Sequence, residues 1–195
     1  IPLALWQALL VASANIKKMV VGAMDAVFFS RTNPSYHYLK RIDSEMPVSK
    51  PVQATALVDT RTKKCVSLRV RAKRRHDALD RFYLLRHAPC FPKTLVADKA
   101  YDINDLHQFA RLHGFISMVP IKKSTRHGFY RHYMKKFWRT RTYHRRVLVE
   151  SKFSSVKRRC GGYVASRLAR TQRAEIHTRF ITNNAKFLKK KQIFN

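Results

Sequence analysis

The sequence predicts a mixed α/β domain in which a mixed sheet begins with three antiparallel strands and carries flanking helices. Three observations predict it. Short runs rich in Val, Phe and Leu bounded by turn residues come first and read as consecutive strands. Amphipathic helical stretches then alternate with two further apolar runs, the order that builds βα crossovers. The chain has 195 residues, of which 45% are hydrophobic and only 5 are Gly, enough for one buried core and unlike a disordered tail.

The elements can be justified in turn. Leu3 to Ala12 places Leu3, Leu5, Trp6, Leu9 and Leu10 at helical spacing, and the helix closes at Asn15 with Lys17 and Lys18 beyond it. Met19 to Phe29 reads as a buried strand in which only Asp25 is charged. A carboxylate in such a strand must be paired or functional. Ser30 to Lys50 mixes Pro, Ser, Asn and charge without period and reads as a loop. Val52 to Val58 and Cys65 to Val70 form two β runs joined as a hairpin, with Asp59 as a turn residue. Asp77 to His87 is helical, Pro89 and Pro92 break the chain, and Thr94 to Ala97 is a short strand running directly into Asp98. Asn104 to Leu112 is a helix ended by Gly114, for which Asp102 or Asp105 serves as the cap, and Phe115 to Val119 is the next strand. From Ile121 the period weakens. Tyr143 to Arg159 resumes a long helical pattern that stops at Gly161 and Gly162, and Val164 to Leu188 holds another helix before the frayed basic run Lys189 to Lys191.

Charge narrows the function. Lys and Arg number 41 against 11 Asp and Glu, a formal charge of +30 with a pI near 10.9. Such self-repulsion disfavours the compact state unless a polyanion neutralises it, so nucleic acid is the first partner expected and an anionic membrane surface the second. The apolar N-terminal stretch is shorter than the roughly 18 residues of a spanning helix, and no membrane segment is expected. The 3 cysteines are far apart and without CxxC spacing, which excludes a zinc ribbon or a disulfide framework and suits a reducing compartment. Scattered histidines without HxxxH or HExxH spacing speak against a zinc site.

Because acids are scarce, their positions carry information. Asp25 lies on the first strand, Asp98 terminates the fourth, and Glu150 lies inside the late helix amid cations. If the first and fourth strands are neighbours, the two aspartates meet at one edge of the sheet. Three carboxylates brought together repel one another, and a divalent cation such as Mg²⁺ is the usual remedy. At about 100° per residue, Tyr143, Arg146, Glu150 and Lys157 fall within an arc of roughly 60°, a polar stripe suited to holding a phosphodiester. Val149, Phe153, Val156 and Cys160 form a separate packing arc, which Arg145 and Lys152 interrupt.

The spacing Tyr143, Arg146, Glu150, Lys157, or Y-x2-R-x3-E-x6-K, together with Asp98-Lys99-Ala100-Tyr101-Asp102 and Met24-Asp25-Ala26, resembles the DDE transposases of bacterial and archaeal insertion sequences. The resemblance spans roughly Val20 to Asn184. Ala100 stands where that family usually has Gly, and Ala26 where Ser or Gly is common; neither change removes a carboxylate. The resemblance implies an RNase H-like fold in which Asp25, Asp98 and Glu150 are catalytic and hold two Mg²⁺ ions, with Mn²⁺ as a substitute. It implies cleavage of transposon-end DNA and strand transfer into target DNA, performed by a homodimer in the cytoplasm on nucleoid DNA. Residues 1–18 then read as the remnant of a longer N-terminal region, 19–184 as the catalytic domain and 185–195 as a basic tail.

Tyr143, Arg146, Lys157 and Arg158 are expected to grip the DNA end, Lys99 to sit beside the second aspartate, and Lys73, Arg74 and Arg75 to meet phosphates without reading sequence. Fourteen Lys and Arg lie between Lys122 and Arg159, interleaved with Phe129, Tyr130, Tyr133, Phe137 and Trp138. Phe137 and Trp138 suit stacking on exposed bases and core anchoring equally well. Two alternatives stand beside the transposase reading. One is an inactive relic or non-catalytic basic DNA-binding protein; the other is a nuclease of the same fold that cuts without joining.

Overall fold

The computed structural model describes residues 2–31, 51–122 and 127–192. In chain order the elements are α1 (Leu3–Ala14), β1 (Met19–Arg31), β2 (Val52–Asp59), β3 (Lys64–Arg71), a 3-10 turn (Asp77–Asp80), α2 (Arg81–Arg86) and β4 (Pro92–Ala97). A second 3-10 turn (Lys99–Tyr101), α3 (Asn104–Leu112), β5 (Ile116–Met118), α4 (Phe129–Lys135) and α5 (Thr140–Tyr143) follow. A third 3-10 turn (His144–Arg146), α6 (Val147–Cys160), the two-residue β6 (Tyr163–Val164) and α7 (Ala169–Gln192) complete the chain. Beyond Arg31, the loop expected over Ser30 to Lys50 lies outside the described residues.

The sheet order is β3-β2-β1-β4-β5, with β6 pairing to the end of β1. β1 to β3 form the expected antiparallel meander, while β4 and β5 join β1 in parallel through the helical crossovers. This is the topology of an RNase H-like fold. β1 is therefore central and buried between two neighbours. Gly22 is required there, because a Cβ would lie 3.1 Å from Leu57, Met19 and Pro92.

Each sheet face has its own core. On one, Val21, Ala23, Val27 and Phe29 pack with Leu10 of α1, Val149 and Phe153 of α6 and Phe180 of α7. On the other, Met24, Leu57 and Leu95 pack with Leu84, Leu106 and Met134 from α2, α3 and α4. Each fully buried side chain of this size contributes about 1.5–3 kcal/mol.

The exposed edge of β3 is covered by side-chain amides. Gln7 of α1 donates to the Val66 carbonyl at 3.1 Å and accepts from the Leu68 N–H at 3.3 Å. Asn184 of α7 accepts from the Cys65 N–H at 2.9 Å and donates to its carbonyl at 2.8 Å. An edge whose backbone groups are already paired offers no template to another strand.

Lys152, which interrupts the packing arc of α6, is only 2% exposed and donates to Asn183 Oδ1 at 2.6 Å and Asn184 Oδ1 at 2.8 Å. Burial lowers its pKa to about 8 and raises that of Cys65, nearby in the same interior, to about 12. Between about pH 8 and 10.5 the unfolded chain binds the proton that folded Lys152 has lost, so this lysine makes stability rise with pH by roughly 3 kcal/mol. Cys65 acts in the opposite sense above pH 9. The difference between wild type and Lys152→Met in urea unfolding isolates the lysine: the variant's relative stability is expected to fall steadily across that window, and a flat difference contradicts it.

Candidate active site

The register of the two parallel central strands creates the site. Met24 of β1 is aligned with Ala97 of β4, so the next residue on each, Asp25 and Asp98, emerges side by side at the same end of the sheet. Asp25 faces α6 and is half-buried; its Oδ1 accepts from the Ala26 N–H at 2.8 Å. Asp98 is exposed, and its Oδ1 accepts from the Lys99 N–H at 2.6 Å, which opens the following 3-10 turn.

Glu150 arrives from the other direction, on the first turn of α6, because Val149, Phe153 and Val156 anchor that helix to the sheet. The long helix expected from Tyr143 is in fact α5, a 3-10 turn and α6. The tighter turn helps alignment, since residues three apart eclipse in a 3-10 helix and place Tyr143 over Arg146. Arg146 then bridges two carboxylates: Nη1 lies 3.1 Å from Asp25 Oδ2 and Nη2 lies 2.8 Å from Glu150 Oε1.

The electrostatics show that these groups share one environment. Burial pushes the Asp25 carboxyl above its ordinary value; the Ala26 N–H and Arg146 oppose the rise, while the charges of Asp98 and Glu150 add to it. Burial likewise raises the Tyr143 phenol, whose hydroxyl is hydrogen-bonded to Arg146 and which also feels Asp98 and Asp25. Beneath the pair, the Tyr101 hydroxyl is fully buried without a hydrogen-bond partner, and its pKa is pushed well up by burial and by Asp77, Asp25, Asp80 and Asp98.

The structure thus brings together Asp25, Asp98, Glu150, Arg146 and Tyr143. Among the described residues no three His, Cys, Asp or Glu side chains are grouped closely enough to hold a metal ion. The Arg146 guanidinium stands between two of the carboxylates and supplies the positive charge there. The donor set itself is all carboxylate oxygen, the chemistry that Mg²⁺ prefers.

The other predicted contacts lie around this centre. Lys157 is two turns along α6, its Nζ 5.6 Å from the centre of the Phe29 ring, and Arg158 is exposed beside it. Lys99 is exposed next to Asp98. Lys73, Arg74 and Arg75 are exposed in the loop after β3, which Arg31 ties to the end of β1 by donating to the Ala72 carbonyl. Phe137 and Trp138 are half-exposed at 39% and 37% and line a cleft of about 480 Å³ with Lys93, Lys136, Arg139 and Arg145. Trp138 also packs on Tyr143, ring centres 4.7 Å apart.

Two assignments from sequence need correction. Asp102 does not cap α3: the N-cap is Ile103, without a side-chain cap bond. Instead the Asp102 carboxylate is fully buried and accepts from Arg131 Nε at 2.5 Å and the Lys122 N–H at 2.7 Å, with His107 Nε2 at 3.2 Å. Nor does Asp105 cap the helix, although it sits in its first turn and pairs with Arg81 at 3.8 Å. The hub extends through His107 Nδ1 to Ser117 Oγ at 2.7 Å and so joins α3, α4 and β5. Gly128 is needed at its rim, since its φ of 129° disfavours other residues and a Cβ would lie 2.6 Å from Arg131 and 2.9 Å from Asn104. Asp59 does act as the turn residue expected, accepting from the Thr62 N–H at 2.9 Å and its hydroxyl at 2.7 Å.

A mixed sheet with two aspartates emerging from adjacent parallel strands, joined by a helix-borne glutamate, defines the acidic centre of an RNase H-like domain. The family model for the transposase DDE domain matches residues 16–184, and the chain belongs to that family. No curated protein matches it. Its function is accordingly of the transposase type, with DNA as the substrate that the family implies. Among the described residues no helix is long and apolar enough to cross a membrane.

Proposed function

We propose that this chain carries the catalytic domain of a transposase that cuts DNA at the ends of a mobile element and joins the freed ends to target DNA. The observation that carries the reading is the convergence of Asp25, Asp98 and Glu150 at one sheet end, two of them held by the same guanidinium. Asp25, Asp98 and Glu150 are the residues that hold divalent ions in this reading, Mg²⁺ or Mn²⁺. Such ions, when bound, supply the activation of an attacking oxygen and the stabilisation of a leaving one.

The remaining work falls to the chain's own groups. Arg146 turns from the carboxylates to a phosphate oxygen, where its planar fork suits the anion. The Tyr143 hydroxyl, bonded to Arg146, keeps that fork oriented. Lys157 and Arg158 neutralise phosphates further along α6, Lys99 does so beside Asp98, and Lys73, Arg74 and Arg75 do so beyond the end of β1. Hydrolysis breaks a P–O bond and leaves a 3′-hydroxyl and a 5′-phosphate. The 3′-hydroxyl oxygen then attacks a target phosphorus and releases a new 3′-hydroxyl. Two copies, one on each end of the element, form the working assembly, acting on chromosomal DNA in the cytoplasm.

The test is nicking and strand transfer on a duplex bearing the element's flanking repeats, with Mg²⁺ or with a chelator. Metal-dependent nicks followed by joined products support the reading. Nicks that are never joined assign a nuclease, and binding without cleavage assigns a DNA-binding relic.

A further inference from the structure

We propose that a ladder of cations along the end of β3 is a second phosphate-backbone site, which holds DNA on the far side of a groove from the strand offered to Asp25 and Asp98. This inference rests on the DNA reading above and extends it to a part of the fold remote from the carboxylates. A cavity of about 300 Å³ is lined there by Arg69, Arg71, Lys73 and Arg75 and by Arg173 from α7, with no acid in its wall.

The sequence explains why the cations line up. Arg69 and Arg71 alternate with the buried Leu68 and Val70, so strand geometry turns both to the same face about 6.6 Å apart, and the pattern continues to Lys73 and Arg75. Amide coverage of the β3 edge ends at Leu68, where Gln7 makes its last bond, and the ladder begins at the next residue.

Several of these charges are held in place before any ligand arrives. The Arg69 guanidinium lies 4.2 Å from the centre of the Tyr83 ring, which fixes it without cancelling its charge. Arg71 pairs with Asp80 at 2.5 Å. The Arg75 N–H donates to Gln53 Oε1 at 2.7 Å, which anchors the loop. Lys73, Arg75 and Arg173 remain exposed. Cations spread along a strand and its continuation match a row of phosphates better than a single small anion.

Position relates this site to the acidic centre. Arg71 is in register with Gln53, and Gln53 with Phe28, three residues past Asp25. Three residues along the strand and two strand spacings across give about 14 Å between the Asp25 and Arg71 backbones. A major groove is about 12 Å wide, so one duplex can engage both places.

The experiment is the salt dependence of duplex binding in metal-free buffer by the full chain and by Lys73→Ala/Arg173→Ala, two exposed positions. With two phosphate contacts removed, the slope of log K against log salt should fall by about 1.8 in magnitude. The charge-matched Lys17→Ala/Lys18→Ala variant, altered at the opposite end of β1, should keep the wild-type slope. Equal slopes in wild type and ladder variant, or the same loss in the control, overturn the ladder while leaving the transposase reading intact. A wild type that binds no duplex overturns both. Weakened binding of the ladder variant to phosphatidylserine vesicles, with duplex binding unchanged, assigns the cavity to a membrane and overturns the proposal.

Discussion

Replacing Glu150 by Gln is expected to lower metal-dependent cleavage by about 10³-fold or more, roughly 4 kcal/mol of transition-state stabilisation, while the fold remains intact. Glu150 is 48% exposed and contributes to the fold only one surface ion pair with Arg146, a contact of small energetic weight. The same substitution removes one of two carboxylates that hold Arg146 near Asp25. Duplex binding should therefore hold or strengthen as cleavage disappears. Cleavage rates and affinity measured on the same preparations check this, and a variant that still cuts within tenfold of wild type refutes the role assigned to Glu150.

The second large effect concerns stability. Arg131→Met leaves the Asp102 carboxylate, with 0% side-chain exposure, facing only the Lys122 N–H and His107. An uncompensated buried charge of this kind costs about 3–5 kcal/mol. For a domain of this length that corresponds to a fall of roughly 10 °C in Tm. Replacing both charges, as Asp102→Leu with Arg131→Met, should recover much of the loss, because the penalty lies in the orphaned partner. Thermal unfolding of the two single variants and the double variant tests the coupling; additive losses contradict it. Asp102 also gives the pair a pH dependence. Burial works to raise its pKa but is outweighed by the Lys122 N–H, Arg131 and His107, so the folded value lies below the ordinary 3.8. The stability from this shift is present above that value and is lost as pH falls through the folded pKa.

The parts legible in the sequence were those written in short-range pattern. Alternation and turn chemistry marked the β2–β3 hairpin, and the apolar run ending abruptly at Asp98 marked a strand with a carboxylate at its tip. The spacing of Tyr143, Arg146 and Glu150 identified the polar stripe, and the 3-10 turn that breaks the expected helix preserved it. The parts that were not legible depend on distant partners. Lys152 looks like a flaw in an apolar arc until Asn183 and Asn184, over thirty residues later, supply its acceptors. Asp102 looks like a cap because it stands just before a helix, and only Arg131 reveals it as a buried hub. α4 and α5 were hidden because Lys and Arg crowd a segment whose aromatic residues face both ways. β6 is only two residues long and carries no periodic signal.

The pairing of β1 with β4 has a consequence for the newly made chain. The meander of β1, β2 and β3 can close from contacts between successive strands, whereas β4 must return across the intervening chain to align Ala97 with Met24. Until that return is made, Asp25 has no aspartate beside it. A polypeptide still emerging from the ribosome, or one truncated ahead of β4, lacks the paired aspartates needed to damage the chromosome that encodes it. Genotoxic activity is withheld until synthesis has carried the sheet past its midpoint.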